Sequence, residues 1–289
     1  MGAFLLHLRL HFQLILSGIF LWAFLLAGGV PDGRTLQGFL VLHVLLYGGA
    51  TAFNAYYDRD EGPITGLRRP PHAGRSCLVG GLGFMLLGAL LAPRVNVTFA
   101  GIYVLMLVLG LAYSHPSVRF KDGPLSSLVV VALGQGVLGF AAGAATAVRR
   151  GLPPATPELL LGGAAAVLLT TGLYPLTQVF QIDEDLRRGD RTFAAHFGSR
   201  VVFRTAIVCF VLALFAALVP ARAVFSRNET LALISALAVL VLLLGLWSRR
   251  YQPAATLANH DRVLVLGLVT SGSFLALVVR HLAQRAGAP

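Results

Sequence analysis

The sequence predicts an all-α, polytopic membrane protein, a nine-transmembrane-helix bundle with a central cavity. Three observations carry that expectation. The residues are 56% hydrophobic and 12% charged, with a mean hydropathy of +0.77, whereas soluble domains carry about 25% charge. Apolar runs of roughly 17 to 25 residues recur along the whole length, each long enough to span a bilayer. Hydrocarbon offers no partner to unpaired backbone groups, so these runs read as helices rather than open sheet. Charged residues gather in short clusters between the runs.

In chain order the expected spans are 10–28, 36–57, 76–92, 95–113, 125–148, 158–181, 201–219, 230–247 and 262–279, within a single domain covering 1–289. The first run continues to Gly29 without a convincing A-x-A cleavage site, so it is expected to be a span and not a signal peptide. The second ends in a cluster, Asn54 to Pro71, reading N-A-Y-Y-D-R-D-E-G-P-I-T-G-L-R-R-P-P. Only Pro93 and Arg94 separate the third span from the fourth, which predicts a tight hairpin. The fourth is followed by Tyr113-Ser-His-Pro-Ser-Val-Arg119-Phe-Lys121. The sixth leads into a second acidic cluster, Gln181 to Gly198, with a turn expected at Gly189–Thr192 before the seventh. Cys77 and Cys209 lie at or in apolar spans without metal-ligand spacing and read as small buried hydrophobes.

Most of the 23 Lys and Arg residues fall on the side holding the N-terminus and the even-to-odd connections, so the positive-inside rule makes that side cytoplasmic. The net charge of +11 is dispersed in short interfacial clusters, which favours anionic headgroups and an anionic substrate over nucleic acid. Acidic residues crowd the same side, leaving only Asp32, Glu158 and Glu229 opposite. Acids contribute little to orientation, so their concentration asks for a functional cause.

If the second span continues through its cluster, Asn54, Asp58 and Glu61 share one helix face and Asp60 points elsewhere. Converging oxygen ligands with room for water suit Mg2+, which bridges protein carboxylates to substrate phosphates. The alternative is a solvated helix end, against which stands the depth of Asn54. Gln181, Glu184 and Asp185 offer a second metal position at the end of the sixth span, unless that run is an ordinary charged surface. Arg119 and Lys121, and Arg69 beside Arg68, are cations able to neutralise a polyphosphate or simply to mark a cytoplasmic loop.

The set resembles the UbiA superfamily of intramembrane prenyltransferases. That family has nine helices, an N-D-x-x-D-x-x-x-D motif after the second, a Y-S-x-P-P-x-R-x-K-like loop after the fourth, and a D-x-x-x-D motif after the sixth with a trailing G-x-x-T-x-x-x-x-x-G. The corresponding residues are Asn54 and Asp58; Tyr113, Ser114, Pro116, Arg119 and Lys121; and Asp185, Gly189, Thr192 and Gly198. Each acidic motif has lost a carboxylate: Gly62 and Gln181 stand where aspartates are expected, and Ala55 replaces the second motif residue. Glu61 and Glu184 are the expected local substitutes.

The resemblance implies Mg2+-dependent transfer of a prenyl group from an isoprenoid diphosphate to a lipophilic, commonly aromatic, acceptor. It implies a metal site of Asn54, Asp58, Glu61, Glu184 and Asp185, with Asn54, Asp58, Asp185 and Lys121 catalytic. Arg69, Tyr113, Arg119 and Lys121 are the expected diphosphate ligands. Phe53, Tyr56, Tyr57, Phe84, Tyr174 and Phe180 are candidate walls for the prenyl chain. A terpene cyclase on the same scaffold, or a non-catalytic lipid-binding or transport protein, are the competing readings.

Overall fold

A computed structural model describes residues 2–286. Among these, nine helices are long and apolar enough to cross a membrane: α1 Gly2–Leu26, α2 Gly33–Asp58, α3 Arg75–Arg94, α4 Val97–Ser114, α5 Pro124–Ala147, α6 Pro157–Leu176, α7 Phe193–Val224, α8 Arg227–Arg249 and α9 Thr256–Gln284. The expected spans all have their helix. Large aliphatic side chains such as Leu90, Val97 and Leu242 face outward, the surface a bilayer would cover.

The differences lie at the ends, and they decide where the chemistry sits. The first helix begins eight residues earlier than expected and breaks at Arg9, whose φ of 47° is left-handed. The second stops at Asp58 because Arg59 turns left-handed, φ 50°. Extrapolating helical periodicity to Glu61 therefore fails. The sixth ends at Leu176, just past Pro175, and a turn leads to a separate short helix, Ile182–Arg188, closed by Gly189 at φ 76°. The seventh starts at Phe193, N-capped by Thr192, and kinks at Gly198. Two stretches loosen to π-helical geometry, Val41–Gly48 within α2 and Ala132–Leu138 within α5.

Lipid provides no hydrophobic drive between helices, so contact depends on backbones approaching closely at small residues. A Cβ on Gly49 would sit 2.7 Å from Gly81 O, and one on Gly81 the same distance from Gly49 O, which locks α2 against α3. A Cβ on Gly143 would overlap Phe20 O, so α5 lies directly on α1. One core gathers Phe20, Leu42, Phe99 and Tyr103; a second gathers Val202, Phe203, Leu244 and Trp247. Between them lies a cavity of about 710 Å³ walled by every helix except α3.

Replacing Gly143 with Leu forces α1 and α5 apart and should cost roughly 1–3 kcal/mol or more by overpacking. Its unfolding temperature in detergent should fall several degrees, while Gly101→Leu, where a Cβ meets nothing within 4 Å, should leave it unchanged.

Candidate active site

The charged end of the cavity is assembled from α1, the end of α2, the loop after α4 and the short helix 182–188. Asn54 and Asp58 lie one turn apart on α2. The Asn54 amide donates to Asp58 Oδ2 (2.6 Å), and its carbonyl oxygen accepts from Ser114 Oγ (2.7 Å). The other oxygen of Asp58 is ion-paired to Lys121, with both side chains largely buried. Tyr113 and Tyr174 share a hydroxyl–hydroxyl hydrogen bond of 2.8 Å on the same wall.

Asp60 also lines this cavity. The left-handed turn at Arg59 swings it inward, whereas Glu61 is exposed and contributes nothing to the wall. On the far wall Asp185 is buried and accepts from Thr192 Oγ1 (2.7 Å). Burial, and then the charge of Asp58, push the Asp60 carboxyl up to about 6. Burial pushes Asp185 up to about 7, aided by the charges of Asp190 and Asp60 against the opposing Thr192 hydrogen bond. This pocket carries more negative charge than its own cations offset.

Glu184 does a different job from the one expected. Its carboxylate accepts from the backbone N–H groups of Glu61 (2.9 Å) and Gly62 (3.1 Å) and pairs with Arg188 (3.2 Å). A side chain at 62 would overlap Glu184 Oε2. Arg188 reaches back to Asp60 (3.1 Å) and to the carbonyls of Asp58 (2.5 Å) and Arg59 (2.7 Å). The pair thus fastens the loop after α2 to the loop after α6, and Glu184 does not face the cavity.

The cations divide similarly. Arg119 is held by Asp122 (2.5 Å) and Asp190 (3.8 Å) and stays off the wall. Arg69 is exposed, and its neighbour Arg68 is occupied by Asp261. The cation that sequence reasoning missed is Arg9. The break in α1 carries its guanidinium into the cavity, where it donates to Thr65 O (3.3 Å) while Nε has no partner. Its signal was present as an arginine inside an apolar run, counted only as a topology charge. Of the aromatic walls expected, Tyr174 alone lines the cavity; Phe53 and Phe180 are packed into the cores.

A model of the UbiA prenyltransferase family matches residues 16–279. The chain belongs to the UbiA prenyltransferase family. Its fold is similar to that of a UbiA homologue from Archaeoglobus fulgidus bound to Cd2+, with a TM-score of 0.69 at 18% identity over 97% of this chain and 99% of that one. The same homologue bound to DMAPP and Mg2+ gives 0.65 at 18% identity over 95% and 99%. An apo UbiA homologue from Aeropyrum pernix K1 gives 0.67 at 19% identity over 93% and 97%. In sequence, the chain is 34% identical over 115 residues to the protoheme IX farnesyltransferase of Aeropyrum pernix, a match spanning 36% of each chain. This UbiA protein is accordingly an integral, multi-pass membrane protein.

The raised Asp185 has a consequence for stability. The folded protein keeps a proton there that the unfolded chain releases near 3.8, so that contribution is full at low pH and is lost as pH rises through about 7. The unfolding temperature of metal-free protein should decline between about pH 4 and about pH 7, and Asp185→Asn should flatten the decline.

Proposed function

We infer that this protein transfers a prenyl group from an isoprenoid diphosphate to a lipophilic, aromatic acceptor within the membrane. The observation that carries the reading is a cavity whose charged end sets Asn54, Asp58, Asp60 and Asp185 against Arg9 and Lys121, and whose remainder is lined mainly by apolar side chains. The UbiA homologue of Archaeoglobus fulgidus, solved with DMAPP and Mg2+ and with GPP and Mg2+, supports the substrate class and the metal.

The residues present suit Mg2+. All are hard oxygen donors, and two are carboxylates pushed toward protonation first by burial and then by neighbouring carboxylates. Among the described residues no three carboxylate, His or Cys side chains converge into a ready-made metal cage. Mg2+ does not require one, since it is commonly held by one or two carboxylates, waters and substrate phosphates. Asn54, Asp58 and Asp60 on one wall and Asp185 on the other would hold it, and bound there it supplies Lewis-acid stabilisation of the departing diphosphate.

Arg9 and Lys121 add charge-assisted donors to the same leaving group. Lys121 is positioned by Asp58 and Arg9 by the carbonyl of Thr65. Leu46, Val131, Leu169 and Leu173 keep water from the allylic carbon as its C–O bond ionises. Histidine as general base finds no support at this site, because His43, His72, His115 and His196 all lie off the cavity wall.

Asp58→Ala and Asp185→Ala should each lower Mg2+-dependent transfer from geranyl diphosphate by about 100-fold or more, measured as prenylated product in reconstituted vesicles. Arg9→Ala should raise KM for the diphosphate more than it lowers kcat. Undiminished diphosphate release in the Asp58→Ala, Asp185→Ala double variant would sink the reading, and a cyclised hydrocarbon formed without acceptor would replace transfer by cyclisation.

We place the charged end and the N-terminus on the cytoplasmic side, since most Lys and Arg residues share that face. A cysteine introduced as Arg59→Cys should react with an impermeant maleimide in inverted vesicles and be protected in right-side-out ones.

A further inference from the structure

Below the charged end the cavity carries a second polar group. Resting on the transfer reading above, we propose that Tyr47, Gln135 and Gln13 form a binding site for the ring oxygens of a hydroxylated aromatic acceptor. All three line the cavity.

The helix registers put them at one depth. Thr51 Oγ1 donates to His7 O and Leu8 O, and Phe20 packs edge-on against Phe39. This antiparallel pairing of α1 with α2 sets Tyr47 opposite Phe12 and Gln13. The approach of Gly143 to Phe20, with α1 and α5 running in the same direction, brings Gln135 to that level too. A Cβ on Gly139, about one turn from Gln135, would lie 2.8 Å from the Tyr47 hydroxyl. The missing side chain lets that hydroxyl reach the α5 wall.

These polar groups are not consumed by the fold. Gln13 is 3% exposed, and while its Nε2 donates to Leu8 O (3.2 Å), its Oε1 has no partner. No hydrogen bond to another described residue engages the Tyr47 hydroxyl or the half-buried Gln135 amide, and both residues line the cavity. Buried polar atoms are nearly always paired, so the unpartnered Gln13 Oε1, beside two further polar side chains on the cavity wall, asks for a ligand. Tyr47 and Gln135 stand on the two π-helical stretches, a distortion frequent at functional sites.

The chemistry of the set defines the ligand. A phenol donor, an amide that donates and accepts, and a carbonyl acceptor match hydroxyl or carbonyl oxygens. None of the three side chains carries a formal charge, so the set itself matches neutral oxygens rather than a carboxylate or phosphate. Gln13 lies four residues below Arg9, about 6 Å along the helix, the span of one aromatic ring. A ring whose oxygens rest on this set would present its opposite edge toward the diphosphate end.

The test is calorimetric titration of the detergent-solubilised full chain with tert-butylhydroquinone and with tert-butylbenzene, the same shape without oxygens. Wild type should bind the hydroquinone about tenfold tighter or more, since a site built to hydrogen-bond oxygens rejects the analogue lacking them. Tyr47→Phe and Gln135→Leu should each narrow that gap at least about fivefold, with affinity for geranyl diphosphate in Mg2+ kept within about twofold. Gly139→Ala, which crowds the Tyr47 hydroxyl without removing a polar group, should narrow it as well. Equal affinity of wild type for the two probes overturns the proposal, as does a gap preserved in all three variants. Wild type that fails to bind geranyl diphosphate defeats the transfer reading instead, because the two probes are compared without any prenyl donor.

Discussion

Charge inside a hydrocarbon-walled cavity must be compensated, and the charged end of this molecule is organised by how that is done. Asp58 has Lys121, Arg119 has Asp122 and Asp190, and Glu184 has Arg188 with two backbone N–H groups. Removing one member of a buried pair leaves the other uncompensated, a loss on the order of 3–5 kcal/mol. Asp60 keeps Arg188 and Asp185 makes no ion pair among the described residues; burial first, helped by neighbouring carboxylates, raises both carboxyl groups. The fold has placed desolvated carboxylates where a cation and an anionic substrate would enter together.

The Glu184–Arg188 clasp makes the two halves of this pocket one site. Asn54, Asp58 and Asp60 come from the α2 end, and Asp185 comes from a short helix more than a hundred positions later. Glu184 reads the backbone of the first loop and Arg188 reads its carbonyls, so neither loop can shift alone. Gly62 leaves room on the other side of this contact, because a Cβ there would overlap Glu184 Oε2 and displace the carboxylate from its present bonds. The motif position that lacks its aspartate is thus the position at which the second loop docks.

Below the charged end, close backbone contacts at glycines join the packing of large core side chains in holding the helices. Glycines at 49, 81 and 143 bring α1, α2, α3 and α5 together on one side. That rigid set presents Tyr47 and Gln135 to the cavity from locally widened helical turns. Polar groups at such depth are expensive in a membrane protein and are retained where they serve a pathway or a ligand.

Composition and hydrophobic run length by themselves determined the nine helices, because the thickness of a bilayer fixes how long an apolar run must be. Cluster spacing likewise brought out Asn54, Asp58, Lys121 and Asp185, and the family resemblance added Tyr113; all five line the cavity. What tertiary structure decided was direction. A left-handed residue at Arg59 ended the periodicity that would have aimed Glu61 inward and turned Asp60 there instead; another at Arg9 carried a topology arginine into the site. The fate of Glu184 depended on a loop distant in sequence whose free N–H groups no local pattern announces. Helical periodicity predicts faces only while the helix lasts, and this site is built where the helices stop.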